Sequence, residues 1–95
     1  MLSKPAAIFR GTHAKRGETG EIHVFISPPF VTLKLFINGK LVDETREQAN
    51  PKYKDRAYPS IGGGFGFARE VAVDFRSGEI TLVKGTAGRN WERIL

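Results

Sequence analysis

The chain has 95 residues, with 15 Lys and Arg, 10 Asp and Glu and no Cys, so its formal net charge is +5. This length fits a single domain over residues 1–95, and we expect that domain to be all-β for the reasons below. Without cysteine the chain cannot form disulfides, thiolate metal sites, iron–sulfur clusters or a cysteine nucleophile. No apolar run approaches the ~20 residues that span a bilayer or resembles a signal peptide. We therefore expect a cytoplasmic protein with no membrane partner.

The middle of the chain predicts a β-hairpin over residues 31–45. Apolar residues in 31–37 occupy alternate positions, which is the period of a strand with one face in the core. Asn38-Gly39 follows, and this dipeptide is a strong hairpin signal because both residues tolerate positive φ. A two-residue turn sets the register, which we expect to pair Ile37 with Lys40, Phe36 with Leu41, Leu35 with Val42, and Lys34 with Asp43.

Residues 71–83 predict a second hairpin with the same alternation of apolar and other residues. Ser77-Gly78 is the expected turn. It would pair Phe75 with Ile80 and Val73 with Leu82 on one face of the hairpin.

A third hairpin is expected between residues 7–10 and 21–27, joined by a polar loop over 11–20 that we expect to be mobile. Pro28-Pro29 then ends the second of these strands, because proline cannot donate to a central ladder. Segment 44–49 is compatible with one helical turn, and 90–95 fits either a short helix or a last strand. Six strands in three hairpins predict a small antiparallel sandwich or a partly open barrel.

The most distinctive string of the chain is Gly62-Gly63-Gly64-Phe65-Gly66-Phe67-Ala68. Its Gly-Phe-Gly-Phe core resembles the signature octamer of RNA-recognition-motif domains, in which exposed aromatic residues stack against unpaired bases. Gly63 stands where that motif has Lys or Arg, Glu70 stands where it has an aromatic residue, and the sequence predicts neither of the two helices of that fold. We therefore interpret the glycines as a turn or bulge and expect Phe65 and Phe67 to enter the core.

The excess positive charge lies in residues 1–20, 46–56 and 84–95. Such a charge distribution attracts anionic partners, and aromatic residues among the cations can stack on bases. The leading hypothesis is a non-enzymatic binding module whose basic loops dock nucleic acid or an acidic protein surface. The candidate partner-binding residues are Lys15, Arg16, Lys52, Tyr53, Lys54, Arg56 and Tyr58. A solvated loop, or a set of anchors for a protein interface, is the other interpretation of segment 52–58.

The sequence contains no constellation that indicates catalysis or a cofactor. The only histidines, His13 and His23, lie in a polar loop and on the outward side of a strand. No cluster of His, Asp and Glu at metal-ligand spacing includes either of them, and no serine stands in a nucleophile-elbow context. We expect no catalytic residues, no metal and no cofactor.

An alternative hypothesis concerns the face of the 31–45 hairpin opposite Leu35. Phe30, Phe36 and Leu41 share this face by parity, and the interleaved polar residues favour partial exposure. An exposed apolar patch of this kind suits a homodimer or a target protein. In this interpretation the chain is an adaptor, an inhibitor or an assembly subunit that uses a sheet face and an open sheet edge.

Overall fold

The computed structural model describes residues 4–50, 52 and 55–95, and their regular structure consists of β-strands without an α-helix. Nine strands occur in these residues: β1 (Ala7–Thr12), β2 (Thr19–Ser27), β3 (Phe30–Ile37), β4 (Lys40–Gln48), β5 (Arg56–Ala57), β6 (Ser60–Ile61), β7 (Arg69–Asp74), β8 (Ile80–Leu82) and β9 (Arg89–Arg93). The prediction of a small all-β fold is confirmed. The three expected hairpins are present. The further strands are β5, β6 and β9, and β5 and β6 are too short for an alternation of apolar and polar residues to be recognised in the sequence.

The strands form two sheets that pack face to face. The larger is antiparallel, with the order β4-β3-β2-β1-β9. In the smaller sheet β7 pairs with β8 on one edge and with β5 and β6 on the other. The sheets do not close into a barrel, so β4 and β9 remain as the two edge strands of the larger sheet.

The core lies between the inner faces of the two sheets. Alternate residues of β1, β2 and β3 point into it because successive side chains of a strand face opposite sides. The small sheet and the segment before it contribute the opposite wall. The buried apolar side chains are Ala7, Phe9, Ile22, Val24, Val31, Leu33, Leu35, Ala57, Ile61, Phe67, Val71, Val73 and Ile80.

The hairpin of β3 and β4 has a β-bulge that the sequence did not predict. Phe36 pairs with Leu41 as expected, but Leu35 pairs with Asp43 and Lys34 with Glu44. The expected pairs of Leu35 with Val42 and Lys34 with Asp43 are therefore wrong by one residue, because Val42 is the extra residue of the bulge. The bulge directs the Asp43 carboxylate to the backbone N–H of Gly62, which donates to it over 3.1 Å.

The second hairpin is shifted by two residues from its expected register. Val73 pairs with Ile80 and Val71 with Leu82, so Phe75 lies in the turn and has no strand partner. The Asp74 carboxylate explains the longer turn, because it accepts hydrogen bonds from the backbone N–H groups of Arg76 and Ser77 at 2.9 and 3.2 Å. A shift of two residues preserves the inward face, so Val73 and Ile80 are buried in the core, and Phe75 and Leu82 pack against it.

Three other expectations for local structure are corrected. Residues 11, 12, 19 and 20 belong to strands, so the loop that we expected over 11–20 is limited to 13–18. Segment 44–49 is not a helical turn, because β4 continues to Gln48 along β3. Segment 90–95 contributes strand β9, which pairs with β1. Pro28-Pro29, joined by a cis peptide bond, forms the turn between β2 and β3.

Candidate functional site

The candidate cations lie at two opposite ends of the sandwich. We call one end the Gly-rich end; it consists of loop 13–18, the turn Asn38-Gly39 and loop 62–68. We call the other the proline end; it consists of the turn Pro28-Pro29, the described residues 49, 50, 52 and 55 of the connection after β4, and the turn 75–79. Strand β4 runs from one end to the other, and at about 3.4 Å per residue it separates them by roughly 27 Å. The two groups of cations therefore do not form one continuous patch.

Loop 13–18 at the Gly-rich end is held in shape by His13. The ring Nδ1 accepts hydrogen bonds from the backbone N–H groups of Lys15 and Arg16, at 3.1 and 3.0 Å. The ring also packs edge-on against buried Phe67, with centroids 5.6 Å apart. These contacts fix the backbone of the loop and leave the side chains of Lys15 and Arg16 exposed to solvent.

Loop 62–68 places its two phenylalanines in different environments. Phe67 is fully buried and contacts the edge of the Trp91 ring, with centroids 6.0 Å apart. Phe65, which we expected in the core, is 38% exposed. Gly66, at φ 77°, lies against His13 and turns the chain between the two rings. The expectation that both phenylalanines are buried is therefore wrong for Phe65.

The side chains that surround Phe65 carry more positive than negative charge. They line an open cleft of about 490 Å³ that includes Arg16 and Lys40, with Glu18 as the acidic member. Arg16 and Glu18 form a long ion pair, at 3.8 Å. Lys40, and Lys15 on the adjacent loop, have no ion-pair partner among the residues that the structure describes. No local sequence pattern indicates that Lys40 and Phe65 meet Arg16, because the three residues belong to three separate loops that converge only in the folded chain.

The proline end carries a more balanced charge. Arg56 lies 3.6 Å from the Asp74 carboxylate, and the backbone N–H of Tyr58 donates to the Glu47 carboxylate. The backbone N–H groups of Arg76 and Ser77 donate to the Asp74 carboxylate and, with a smaller contribution from Arg56, hold the pKa of Asp74 below its usual value. An open cleft of about 230 Å³ at this end also includes Glu79. Lys52 is exposed, whereas Tyr53 and Lys54 lie outside the described residues.

The outer face of the larger sheet carries the residues of the alternative interface. Phe36 lies directly opposite Leu41, which is 47% exposed. Phe30 lies at the far end of β3 on the same face, and the Arg46 guanidinium stacks over its ring at 4.0 Å. His23 and Phe25 of β2 continue the aromatic surface, with the His23 ring 4.5 Å from Phe36. The outer face therefore carries two aromatic side chains, His23 and Phe25, in addition to the Phe30, Phe36 and Leu41 of the alternative hypothesis.

Ion pairs neutralise most of the charge on this outer face. Glu21 accepts from the Arg10 guanidinium at 2.7 Å and lies 3.0 Å from His23 Nε2. These two partners, His23 above all, hold the pKa of Glu21 below its usual value. Lys34 is 3.5 Å from Glu44. Compared with the Gly-rich end, the outer face offers apolar and aromatic contact area with little net charge.

The described residues contain no group of three or more His, Cys, Asp or Glu side chains that could hold a metal ion. They also contain no helix with the length and apolar character to cross a membrane. Comparison with protein-family models, with curated proteins and with solved structures gives no match for this chain.

Proposed function

We propose that this chain is a non-enzymatic binding module that docks single-stranded nucleic acid at its Gly-rich end. The observation that carries the proposal is the cleft in which Arg16 and Lys40 lie with the exposed ring of Phe65, with Glu18 as its acidic side chain. Lys15, exposed next to Arg16 on loop 13–18, adds a third cation to the same end. Cations beside an exposed aromatic ring are the combination that binds a backbone of phosphates and its bases.

The charge at this end supports binding to phosphate. Lys15 and Lys40 have no carboxylate within ion-pair distance in the described chain, so their charge remains available for an anionic ligand. Each phosphate that a lysine or arginine neutralises releases condensed counterions, which makes affinity fall steeply as salt rises. The proline end is a weaker candidate because Asp74, Glu79 and Glu47 lie among its cations.

Phe65 supplies a surface on which a base can stack. Its ring is held by a loop whose next aromatic residue, Phe67, is anchored in the core. Stacking on one aromatic ring contributes about 1–3 kcal/mol per base and tolerates any sequence. A cleft of about 490 Å³ is large enough for one nucleotide.

Fluorescence anisotropy with labelled single-stranded oligonucleotides tests the proposal. We expect the affinity to fall as salt rises, and Lys15→Ala, Arg16→Ala and Lys40→Ala each to lower the salt slope by about one. Phe65→Ala should weaken binding without changing that slope. The matched control is the pair Lys52→Ala and Arg76→Ala at the proline end, which should bind like the parent chain. Affinity that is independent of salt, or lost equally in the control, would contradict the proposal.

The outer face of the larger sheet supports a second candidate function, which is docking of a protein. Its specific observation is the contiguous apolar and aromatic surface of Phe36, Leu41, His23 and Phe25, on which ion pairs cancel most of the charge. Surfaces of this composition favour protein partners over nucleic acid. A Phe36→Asp variant that loses capture of a protein from nuclease-treated host lysate, while it retains oligonucleotide binding, would support this function.

A further inference from the structure

The two open sides of the sandwich carry opposite charge. On one side, strand β4 forms the edge of the larger sheet and β6 the edge of the smaller one, and an open cleft of about 610 Å³ lies between them. On the other side, β9 and β8 are the corresponding edges, with a cleft of about 340 Å³. Each side therefore presents a strand edge with unpaired backbone groups above a cleft.

The β4 side is acidic. Asp43, Glu44 and Glu70 line its cleft, and the one basic lining residue, Arg69, directs its guanidinium away to the carbonyls of Ala87 and Val83. Glu70 and Asp43 have no ion-pair partner among the described residues, and Glu44 is paired only with Lys34 at 3.5 Å. The cleft on this side is therefore negatively charged on a chain whose net charge is +5.

The β9 side is basic. Its cleft is lined by Arg69, Lys84 and Arg93 together with Trp91, and Arg89 is exposed at the start of β9. Arg93 donates to the carbonyls of Leu95 and Ile80, which hold the guanidinium in place without neutralising it. Glu92 is the acidic lining residue, so positive charge exceeds negative charge on this side.

We propose that a second copy of this chain docks head to tail, with the β9 side of one copy on the β4 side of the next. We infer a head-to-tail contact from the charges of the two clefts. Two acidic clefts, or two basic clefts, would repel each other, whereas an acidic cleft against a basic cleft brings opposite charges together. The interface is heterologous, so the association continues into open chains unless the rotation between copies closes a ring.

The direction of the strands is compatible with this arrangement. Four successive antiparallel pairings lead from β4 to β9, so the two edge strands run parallel to each other. Copies related by translation would therefore pair β4 with β9 in parallel, and the larger sheet would continue from one copy to the next. The acidic and basic clefts would then face each other across the contact.

Analytical ultracentrifugation of the full chain at low salt tests the proposal. We expect the weight-average mass to rise with protein concentration, and the association to weaken at least about tenfold between about 20 mM and about 500 mM salt. Two charge-reversal variants leave one side intact each: Glu44→Lys with Glu70→Lys, and Lys84→Glu with Arg89→Glu. Each variant alone should stay monomeric.

A mixture of the two variants provides the decisive measurement. In the mixture, opposite charges meet both where the two unchanged sides face each other and where the two reversed sides face each other, so the mixture should associate although neither variant does so alone. The control, Lys52→Glu with Arg76→Glu at the proline end, changes the net charge as the basic-side variant does and should associate like the parent. Single changes, Glu70→Lys and Lys84→Glu, serve if a double variant loses its β-sheet circular dichroism. A monomeric parent at low salt, or variants that still self-associate, would overturn the proposal.

Discussion

The ring of Trp91 occupies the space that a side chain on Gly11 would need. Gly11 lies in β1 and Trp91 in the neighbouring β9, and an added Cβ on Gly11 would lie 2.5 Å from Cδ2 of the indole. The indole Nε1 donates to the Ala87 carbonyl at 2.9 Å, so the ring is held at both its face and its edge. This packing joins the last strand to the first.

We expect Gly11→Ala to destabilise the fold, because either the indole or the backbone must move. Overpacking of this kind costs about 1–3 kcal/mol of the free energy of unfolding. Chemical denaturation measures it, and near-ultraviolet circular dichroism reports the displaced indole. Gly63→Ala is the control, since nothing lies within 4 Å of its added Cβ and its φ is not positive, and it should change stability by less than about 0.5 kcal/mol. Equal stability of the two variants would show that the indole is free to move.

Truncation of Phe67 should mainly lower stability, whereas truncation of Phe65 should mainly weaken oligonucleotide binding. Phe67 is fully buried, so Phe67→Ala should lower the free energy of unfolding by about 3–5 kcal/mol. Phe65 is 38% exposed, and Phe65→Ala should cost much less stability while it weakens oligonucleotide binding. Urea denaturation and fluorescence anisotropy on the same samples separate the two effects. A large loss of stability in the Phe65 variant would mean that this ring supports the fold.

The stability of the chain should fall in acid partly through Glu21. Hydrogen bonds from His23 and Arg10 lower the pKa of Glu21 below its ordinary value of 4.5. The stabilisation is therefore complete above that value and is lost as the pH falls through the lower pKa of the folded state. In Glu21→Gln, stability at neutral pH should be lower and should vary less with pH in this acid range. Glu92→Gln, at an exposed position on β9, is the control for loss of a charge, and urea midpoints at several pH values give the comparison.

The Asp74 carboxylate should determine the register of the β7–β8 hairpin. It accepts from the backbone N–H groups of Arg76 and Ser77, which shapes the turn before Ile80 pairs with Val73. We expect Asp74→Ala to lower the denaturation midpoint and to reduce amide protection at Ile80. Asp74→Asn keeps the oxygen acceptor and should retain most of both. If the amide of Ile80 exchanges at the same rate in Asp74→Ala and in the parent, core packing alone sets the register of the hairpin.

Sequence patterns predicted part of the candidate site. Lys15 and Arg16 could be chosen because they lie in a polar loop with a local excess of positive charge, and both lie at the Gly-rich end. The same local excess of positive charge points to Arg56. In the fold, however, the pairing of β5 with β7 brings the Asp74 carboxylate beside Arg56 and offsets its charge. The prediction that Phe65 is buried is wrong because alternation of apolar residues cannot indicate which of two nearby rings a series of glycine turns directs inward.

Local patterns suffice to predict the all-β character of the chain and the inward face of its long strands, because a period of two residues is a local property of the backbone. They do not predict the bulge at Val42, the shifted second hairpin or the pairing of β9 with β1. Those features depend on contacts between distant segments, where packing of the core outweighs local turn preference. The same long-range contacts bring Lys15, Lys40 and Phe65 to one end and separate them from Arg56.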